Sequence, residues 1–363
     1  MTEHDALLRA ICENPCDDLP RLVYADWLEE NGQSERAAFI RTDVEMARLD
    51  EWDARRVRYE QQLDPQAPHR QPWASEVFSG LPGPFSWCGT PLVRRGFPWC
   101  LRIEYPNELF ARDGELFPWN PIEQIHFARR PPDLRHLSAA VWLGRLTGLA
   151  FSAGPYAARH LVPFLSTPAL AIEELSFEGA ITRDGVAAVF SAPLFPRLLA
   201  VRITGGSGQV GREVLEALGE IPTPNRLRTL DLTAGLPGND GIPMLAARRI
   251  PPGVRSLTLS RNHVNGDRAA ILAGSPALAN LRVLNLAANP LGNAGAAALA
   301  ASPHLSNLLV LDLGYCQVGD DGIRAILESP LAERLVLLNL NRSPASDEMK
   351  QALKDRMGDR VRV

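Results

Sequence analysis

From Leu281 onward the chain alternates apolar and polar positions in a unit that comes round again. Leu281, Leu284 and Leu286 mark a short strand, Asn289 and Leu291 follow a turn, and Ala and Leu at helical spacing lead to a second copy. There Leu308, Leu311 and Leu313 precede Cys316 and Val318, an offset of 27 residues. The two-residue strand period turns Leu284 and Leu286 inward and leaves Val283, Asn285 and Ala287 facing out. The same first position recurs at Ile122, Leu146, Ile172, Leu198, Leu227, Val254 and Leu335, at steps of 24 to 29 residues, and a degenerate unit with Leu101 and Ile103 comes before them. A strand plus a helix of this size cannot bury its apolar faces alone, so the units must stack on one another.

The resulting LxxLxLxx(N/C)xL pattern resembles the leucine-rich repeat, and the period near 27 resembles its ribonuclease-inhibitor type, over residues 98–363. The resemblance implies an α/β solenoid, a horseshoe with a parallel β-sheet on its concave face and helices outside. Asn262 and Asn289 are expected to hydrogen-bond the backbone of neighbouring turns, with Cys316 in the same inner position and Ala180, Gly206 and Ser343 in its place elsewhere. After the last unit, Ser346 is placed to cap a helix that Gly358 ends, and the final Arg-Val alternation suits an edge strand.

Upstream, the periodicity predicts three helices. Thr2 caps the first, Asp17 or Asp18 starts a second with Pro20 in its first turn, and Ser34 caps a third whose pattern continues toward Leu63. The stretch DDLPRLVYADWLEENGQSERAAFIR resembles the repeat-companion domain that precedes leucine-rich repeats in many bacterial proteins, over residues 3–49, through Arg21, Tyr24, Ala25, Asp26, Trp27, Arg36, Ile40 and Arg41. That resemblance implies no established activity. Asp26 is expected to be partly buried and paired with an Arg of the third helix. The domain organisation expected is therefore an acidic helical domain at 1–64, an aromatic and Pro-rich transition and cap at 65–97, and the repeats with a C-terminal cap at 98–363. Trp73, Phe78, Phe85, Trp87 and Phe97 would each cost about 2 kcal/mol if left in water, so the transition is expected to pack over the first repeat.

Charge changes this picture little. The net charge is −4, but residues 1–64 carry 8 Arg against 16 Asp or Glu, and Lys350 and Lys354 are the chain's lysines. No basic stripe of the kind nucleic acid requires is present. There is no signal-peptide pattern at the start and no run of about 18 apolar residues, so the chain is expected to be cytoplasmic and free of membrane contact. Cys12, Cys16, Cys88, Cys100 and Cys316 lack paired spacing and are expected to be free thiols, and the seven histidines show no metal-ligand spacing. His126 alone among them falls on the outward sheet positions, where spacing implies no Ser, Cys or Asp partner.

Gly206, Gly208 and Gly211 stand in GxGxxG order between a strand and a helix, with Asp231 further on, which opens a nucleotide-binding or enzymatic alternative. Val201 and Ile203 keep the repeat register through this stretch, and the glycines are expected to serve the turn into the outer helix, where positive backbone angles are useful. No cofactor and no catalytic constellation is expected. The outward positions instead favour a noncatalytic module with a protein partner. Asp231, Asn285, Asp312 and Asn339 run beside Val283, Val310 and Leu337, with Arg261, Tyr315 and Arg342 on the adjoining rim, a mixture common at protein interfaces. The partner's identity and the oligomeric state are left open by the sequence, and self-assembly is a second alternative.

Overall fold

The computed structural model describes residues 2–50, 53, 55, 56 and 92–363, apart from 108, 112–116, 118–120, 132, 169, 180, 206, 207, 222–224, 248 and 249. Leu63, the transition aromatics from Trp73 to Trp87, Cys88, Ala180 and Gly206 lie outside the described residues. The chain divides into two compact units, 1–154 with 167–173, and 155–166 with 174–363.

The first unit opens with α1 (Glu3–Glu13), α2 (Leu19–Glu30) and α3 (Ser34–Ala47). Thr2 caps α1 through a reciprocal box with Asp5, as its spacing predicts. Two details differ from expectation. Ser34 is the first residue of α3, behind Gln33, and makes no capping bond; the helix ends at Ala47, where the Arg48 N–H donates back to Val44 and Glu45. The apolar faces of α1–α3 meet in one cluster of Ile11, Tyr24, Leu28, Phe39, Ile40 and Val44, and Phe97 completes it. Phe97 begins β2 (Phe97–Ile103), which pairs antiparallel with β1 (Leu92–Arg94) and parallel with β3 (Gln124–Phe127). Residues Arg95 and Gly96 both take positive φ, 55° and 77°, so the β1–β2 connection is a tight hairpin turn. Only glycine fits its second position, because a Cβ there would lie 2.5 Å from Ile40 Cγ1 of α3. After α4 (Leu134–Ala139), β4 (Gly148–Phe151) adds in parallel to β3.

The second unit is a regular alternation. Its strands are β5 (Glu174–Glu178), β6 (Ala200–Thr204), β7 (Thr229–Asp231), β8 (Ser256–Thr258), β9 (Val283–Asn285), β10 (Val310–Asp312), β11 (Leu337–Asn339) and β12 (Val361–Arg362). They pair in chain order and all in parallel. The helices are α5 (Ala158–Leu165), α6 (Arg183–Phe190), α7 (Gly208–Leu218), α8 (Gly241–Ala247), α9 (Gly266–Ala273), α10 (Gly292–Ala300), α11 (Asp320–Leu327), α12 (Pro330–Arg334) and α13 (Asp347–Met357). Between strands and helices lie Leu284, Leu286, Leu311, Leu313, Leu338 and Leu340, all buried. Ser346 caps α13 by accepting from the Met349 N–H, and Gly358 ends it at φ 58°.

The expected polar ladder is present. Asn289 Nδ2 donates to the carbonyls of Leu259 (3.0 Å) and Leu286 (2.7 Å), while its Oδ1 accepts from the N–H groups of Asn262 (2.8 Å) and Val264 (3.0 Å). Asn262 repeats this one unit earlier, donating to Leu232 and accepting from Leu236. Cys316 takes the same place, its thiol donating to Leu286 (3.0 Å), and Ser343 donates to Val318. Burial pushes the Cys316 thiol up to about 11, so it stays protonated as a donor at neutral pH.

Candidate functional site

Strand pairing brings the outward positions into rows. Val283, Val310 and Leu337 face one another on β9, β10 and β11, and the next row runs Asp231, Thr258, Asn285, Asp312 and Asn339 across β7 to β11. At about 4.8 Å per strand, Asp231 stands roughly 19 Å from Asn339, so the row is an extended surface rather than a focused site. Arg362 of β12, paired with Asn339, lengthens it by one place that the repeat pattern did not include. In the first unit Arg102, His126 and Ala150 form the corresponding row.

The acceptors of this row also serve the fold. Asp231 Oδ1 accepts from the Thr233 N–H (2.9 Å) and hydroxyl (2.7 Å), Asn285 Oδ1 from Ala287, Asp312 Oδ1 from Gly314, and Asn339 Oδ1 from Asn341. Each is the same local turn, with a side chain holding the backbone two residues on as the strand ends. Asn339 Nδ2 also donates to Asp312 Oδ1 at 3.0 Å, joining adjacent strands. The spacing that marks these residues as outward gives no sign of this second role.

Immediately after these turns the backbone enters the left-handed region, and in two units it does so again two residues on, at His263 (φ 54°) and Gln317 (φ 59°). Gly179 and Gly205 occupy it first, at φ 63° and 64°, then Ala234, Arg261, Ala288, Tyr315 and Arg342, at φ 50° to 61°. The N–H of each of the residues from Gly179 to Tyr315 donates to a carbonyl of the following unit. A non-glycine residue pays about 1 kcal/mol for this conformation. Of the five non-glycines at this place in the unit, three are the rim residues Arg261, Tyr315 and Arg342, and His263 and Gln317 share the conformation two residues further on. Tyr315 is 60% exposed, and neither rim guanidinium has a hydrogen-bond or ion-pair partner among the described residues.

Within the glycine-rich stretch Gly206 lies outside the described residues, and Gly211 differs from the turn role expected of it. Gly205, beside the motif, has positive φ (64°), and Gly211 lies within α7, where a Cβ would stand 1.8 Å from the Gly235 carbonyl oxygen of the next unit. Gly185 makes the same close approach to the Tyr156 carbonyl. Glycine at these places lets an outer helix sit on the neighbouring backbone, a packing demand that a phosphate site would share but that is met here by protein. His126 also departs from expectation, since its Nε2 is hydrogen-bonded to the Ser152 hydroxyl.

Asp26 pairs with Arg41 of α3 at 2.7 Å as expected, but its side chain is 68% exposed rather than partly buried, so this is a surface ion pair. The buried charges lie elsewhere. Arg21 of α2 donates to the Asp17 carbonyl (2.7 Å), lies over Phe97 and stands 3.8 Å from Glu123, and Arg95 reaches Glu123 at 3.2 Å. Arg95 Nε and Asp18 Oδ1 are 3.1 Å apart but off the hydrogen-bonding line, and Arg48 holds the other Asp18 oxygen at 2.9 Å. Burial raises the Glu123 carboxyl against the opposing pull of Arg95 and Arg21, and burial lowers Arg21. Glu123 and Arg95 carried no periodic signal that could have marked them. Among the described residues no group of three or more His, Cys, Asp or Glu could hold a metal, and no helix is long and apolar enough to cross a membrane.

A family model described as Leucine Rich repeat matches residues 277–300 and 304–327, the units around β9 and β10. No curated protein matches the chain. Among solved structures, the chain is similar to one in the crystal structure of the yeast Rad7 and Elc1 complex, at TM-score 0.47 and 13% identity over 93% of this chain and 88% of that one. It is similar also to a Bacteroides fragilis protein, at TM-score 0.41 and 15% identity over 63% of this chain and 69% of that one.

Proposed function

We propose that this protein is a noncatalytic interaction module that binds a protein partner on the exposed strand face of its second unit. The observation that carries the reading is the rim: long side chains at Arg261, Tyr315 and Arg342 occupy backbone positions where glycine would be unstrained, beside the apolar row Val283, Val310 and Leu337. Strain kept at a surface with no internal contact to justify it is what a contact surface would retain. In the same reading residues 1–64 are an acidic helical companion domain, 65–97 a transition, and 98–363 the repeat domain of a cytoplasmic protein; the burial of Phe97 among the α1–α3 side chains supports the transition's role as a seal.

The test compares two kinds of variant in partner capture from native extract, alongside circular dichroism melts. Arg261→Ala with Tyr315→Ala removes two rim side chains and leaves the turn-holding carboxylates intact. It should cost about 2 kcal/mol or more of binding while changing stability by about 1 kcal/mol or less. Leu311→Ala should instead destabilise by about 2–5 kcal/mol through a core cavity and weaken binding only by unfolding. Wild-type capture by the double rim variant would move the contact surface elsewhere, with Arg102, His126 and Arg202 as the next positions to change.

A further inference from the structure

One residue ahead of the apolar row Val283, Val310 and Leu337, the units of the second body are joined through another row. The Arg255 N–H donates to the Arg228 carbonyl at 2.8 Å, that of Arg282 to Arg255 at 2.7 Å, that of Leu309 to Arg282 at 2.8 Å and that of Val336 to Leu309 at 2.7 Å. Three arginines and then two aliphatic residues therefore stand side by side, at about 4.8 Å per step. Leu309 and Val336 are half-buried, like the apolar row beside them, so this edge of the sheet runs from a cationic end into an apolar one.

The segments that form the edge bring no carboxylate to the cationic end. Residues 221–230, 250–258, 276–285 and 302–311, which lead into β7 to β10, contain neither Asp nor Glu. The acids around them are placed elsewhere. Glu220 lines a recess between α6 and α7 with Glu213, and Glu333 stands 3.6 Å from Arg356. Asp231 and Asp312 lie three residues further along their strands, about 10 Å away, where they hold the turns that follow. The arginines' own side-chain bonds go to carbonyls, from Arg255 Nη1 to Pro252 at 2.6 Å and from Arg282 Nη1 to Asn307 at 3.5 Å, and Arg228 makes none among the described residues. A short acidic segment that continues into apolar residues is complementary to both ends of the row, whereas a nucleic-acid backbone, charged at every step, matches only the first.

We propose that the partner docks along this row through an extended segment whose acidic residues lie on Arg228, Arg255 and Arg282 and whose adjoining apolar residues lie on Leu309 and Val336. This rests on the interaction reading above and specifies the partner's chemistry. Each guanidinium supplies a planar fork able to hold a carboxylate with two bonds, and the half-buried aliphatic residues lose their remaining water to the apolar end of the segment.

The experiment measures fluorescence anisotropy of labelled peptides against the full chain. One peptide is a run of Glu followed by alternating Leu and Val, and two others carry Ser or Lys in place of Glu. The Glu peptide should bind about tenfold more tightly than the Ser peptide, and the Lys peptide more weakly than both. Arg228→Glu and Arg282→Glu should each weaken the Glu peptide about tenfold and strengthen the Lys peptide, with circular dichroism melts confirming the fold; either variant alone decides the matter. Arg324→Glu, on α11 and paired with Asp321, makes the same change in net charge away from the row and should leave binding as it was. Glu and Ser peptides binding alike, no binding of the Glu peptide, or an equal loss in Arg324→Glu overturns the proposal. Displacement of the Glu peptide by oligothymidylate at equal concentration also overturns it, since the row would then take a polyanion without apolar side chains. Failure here is separable from failure of the interaction reading: if partner capture is lost in the Arg261→Ala, Tyr315→Ala variant while Arg228→Glu and Arg282→Glu leave the Glu peptide unaffected, a protein contact stands and the acidic docking row does not.

Discussion

In the first unit the buried polar residues are charged side chains from separate segments, Arg21 of α2, Arg36 and Asp43 of α3 and Glu123 ahead of β3, with half-buried Arg95 of the hairpin turn against Glu123. In the second unit they are uncharged, Ser256 and Ser275 together with Asn262 and Asn289, the two amides standing at the same position of successive units with Cys316 continuing the series. Both arrangements satisfy buried backbone or side-chain groups that would otherwise be left without water, but they specify structure differently. An ion cluster is assembled once, from pieces far apart in the chain, and breaks as a whole. An amide ladder is assembled a unit at a time, each rung needing only its neighbour, so damage stays local.

The largest expected effect separates these modes. Arg21→Ala removes a fully buried cation and leaves Glu123 facing Arg95 alone, which should destabilise the first unit by about 3–5 kcal/mol, measured by hydrogen exchange in α2 and β3. Replacing Arg21 and Glu123 together by Met should recover most of that loss, because the cost lies in the orphaned charge; a double variant as unstable as the single one breaks the account.

Asn289→Ala should be the next largest. It strands the Leu259 carbonyl and the Asn262 and Val264 N–H groups in the interior, at about 2–3 kcal/mol after local relaxation. Exchange should accelerate in β8 to β10 and stay unchanged in the first unit. Spread of the loss to α1–α3 would contradict the rung-by-rung picture.

Tyr315→Gly tests the left-handed backbone of the second unit. Glycine fits φ 58° without strain, as at Gly179 and Gly205, and the gain of about 1 kcal/mol is partly cancelled by the greater freedom of glycine in the unfolded chain. The melt should therefore stay level or rise slightly, whereas Tyr315→Ala, which keeps the strain, should not gain. A clear fall with glycine would mean that the ring stabilises the unit by packing.

The smallest effect is a pH dependence at the start of α13. Hydrogen bonds from the Ser346 N–H and hydroxyl hold the Asp320 carboxyl below its ordinary value of 3.8. A depressed carboxylate contributes stability that is complete above the unfolded value and lost as pH falls through the folded one. The difference in melting temperature between wild type and Asp320→Ala should thus be constant above about pH 5 and shrink toward zero as pH drops below the unfolded value. A difference that persists in strong acid would assign the effect to packing instead.

The repeats were legible because their information is local. Strand, turn and helix positions recur at a fixed offset, so Leu284, Asn289 and Leu311 could be placed inside, and Val283, Asn285 and Asp312 outside, from spacing alone. The candidate rim was legible by the same rule, as positions, but the left-handed backbone that sets Arg261, Tyr315 and Arg342 apart was not, because side-chain identity there gives no sign of φ where glycine is absent. Nor was the second duty of Asp231, Asn285, Asp312 and Asn339 as turn-holders.

Spacing along the chain is enough to define the unit: a period near 27, its inward leucines, its Asn rungs and a capped helix after the last strand pattern, all written in neighbours a few residues apart. Contacts between distant segments emerge only once the chain has folded. Arg21 meets Glu123 across about a hundred residues, Gly96 fits because Ile40 of α3 lies against it, and Gly211 is required by the Gly235 carbonyl rather than by a phosphate. Such contacts depend on which surfaces come together after folding, and a pattern along the chain records the faces a segment offers, not the residues that will meet them.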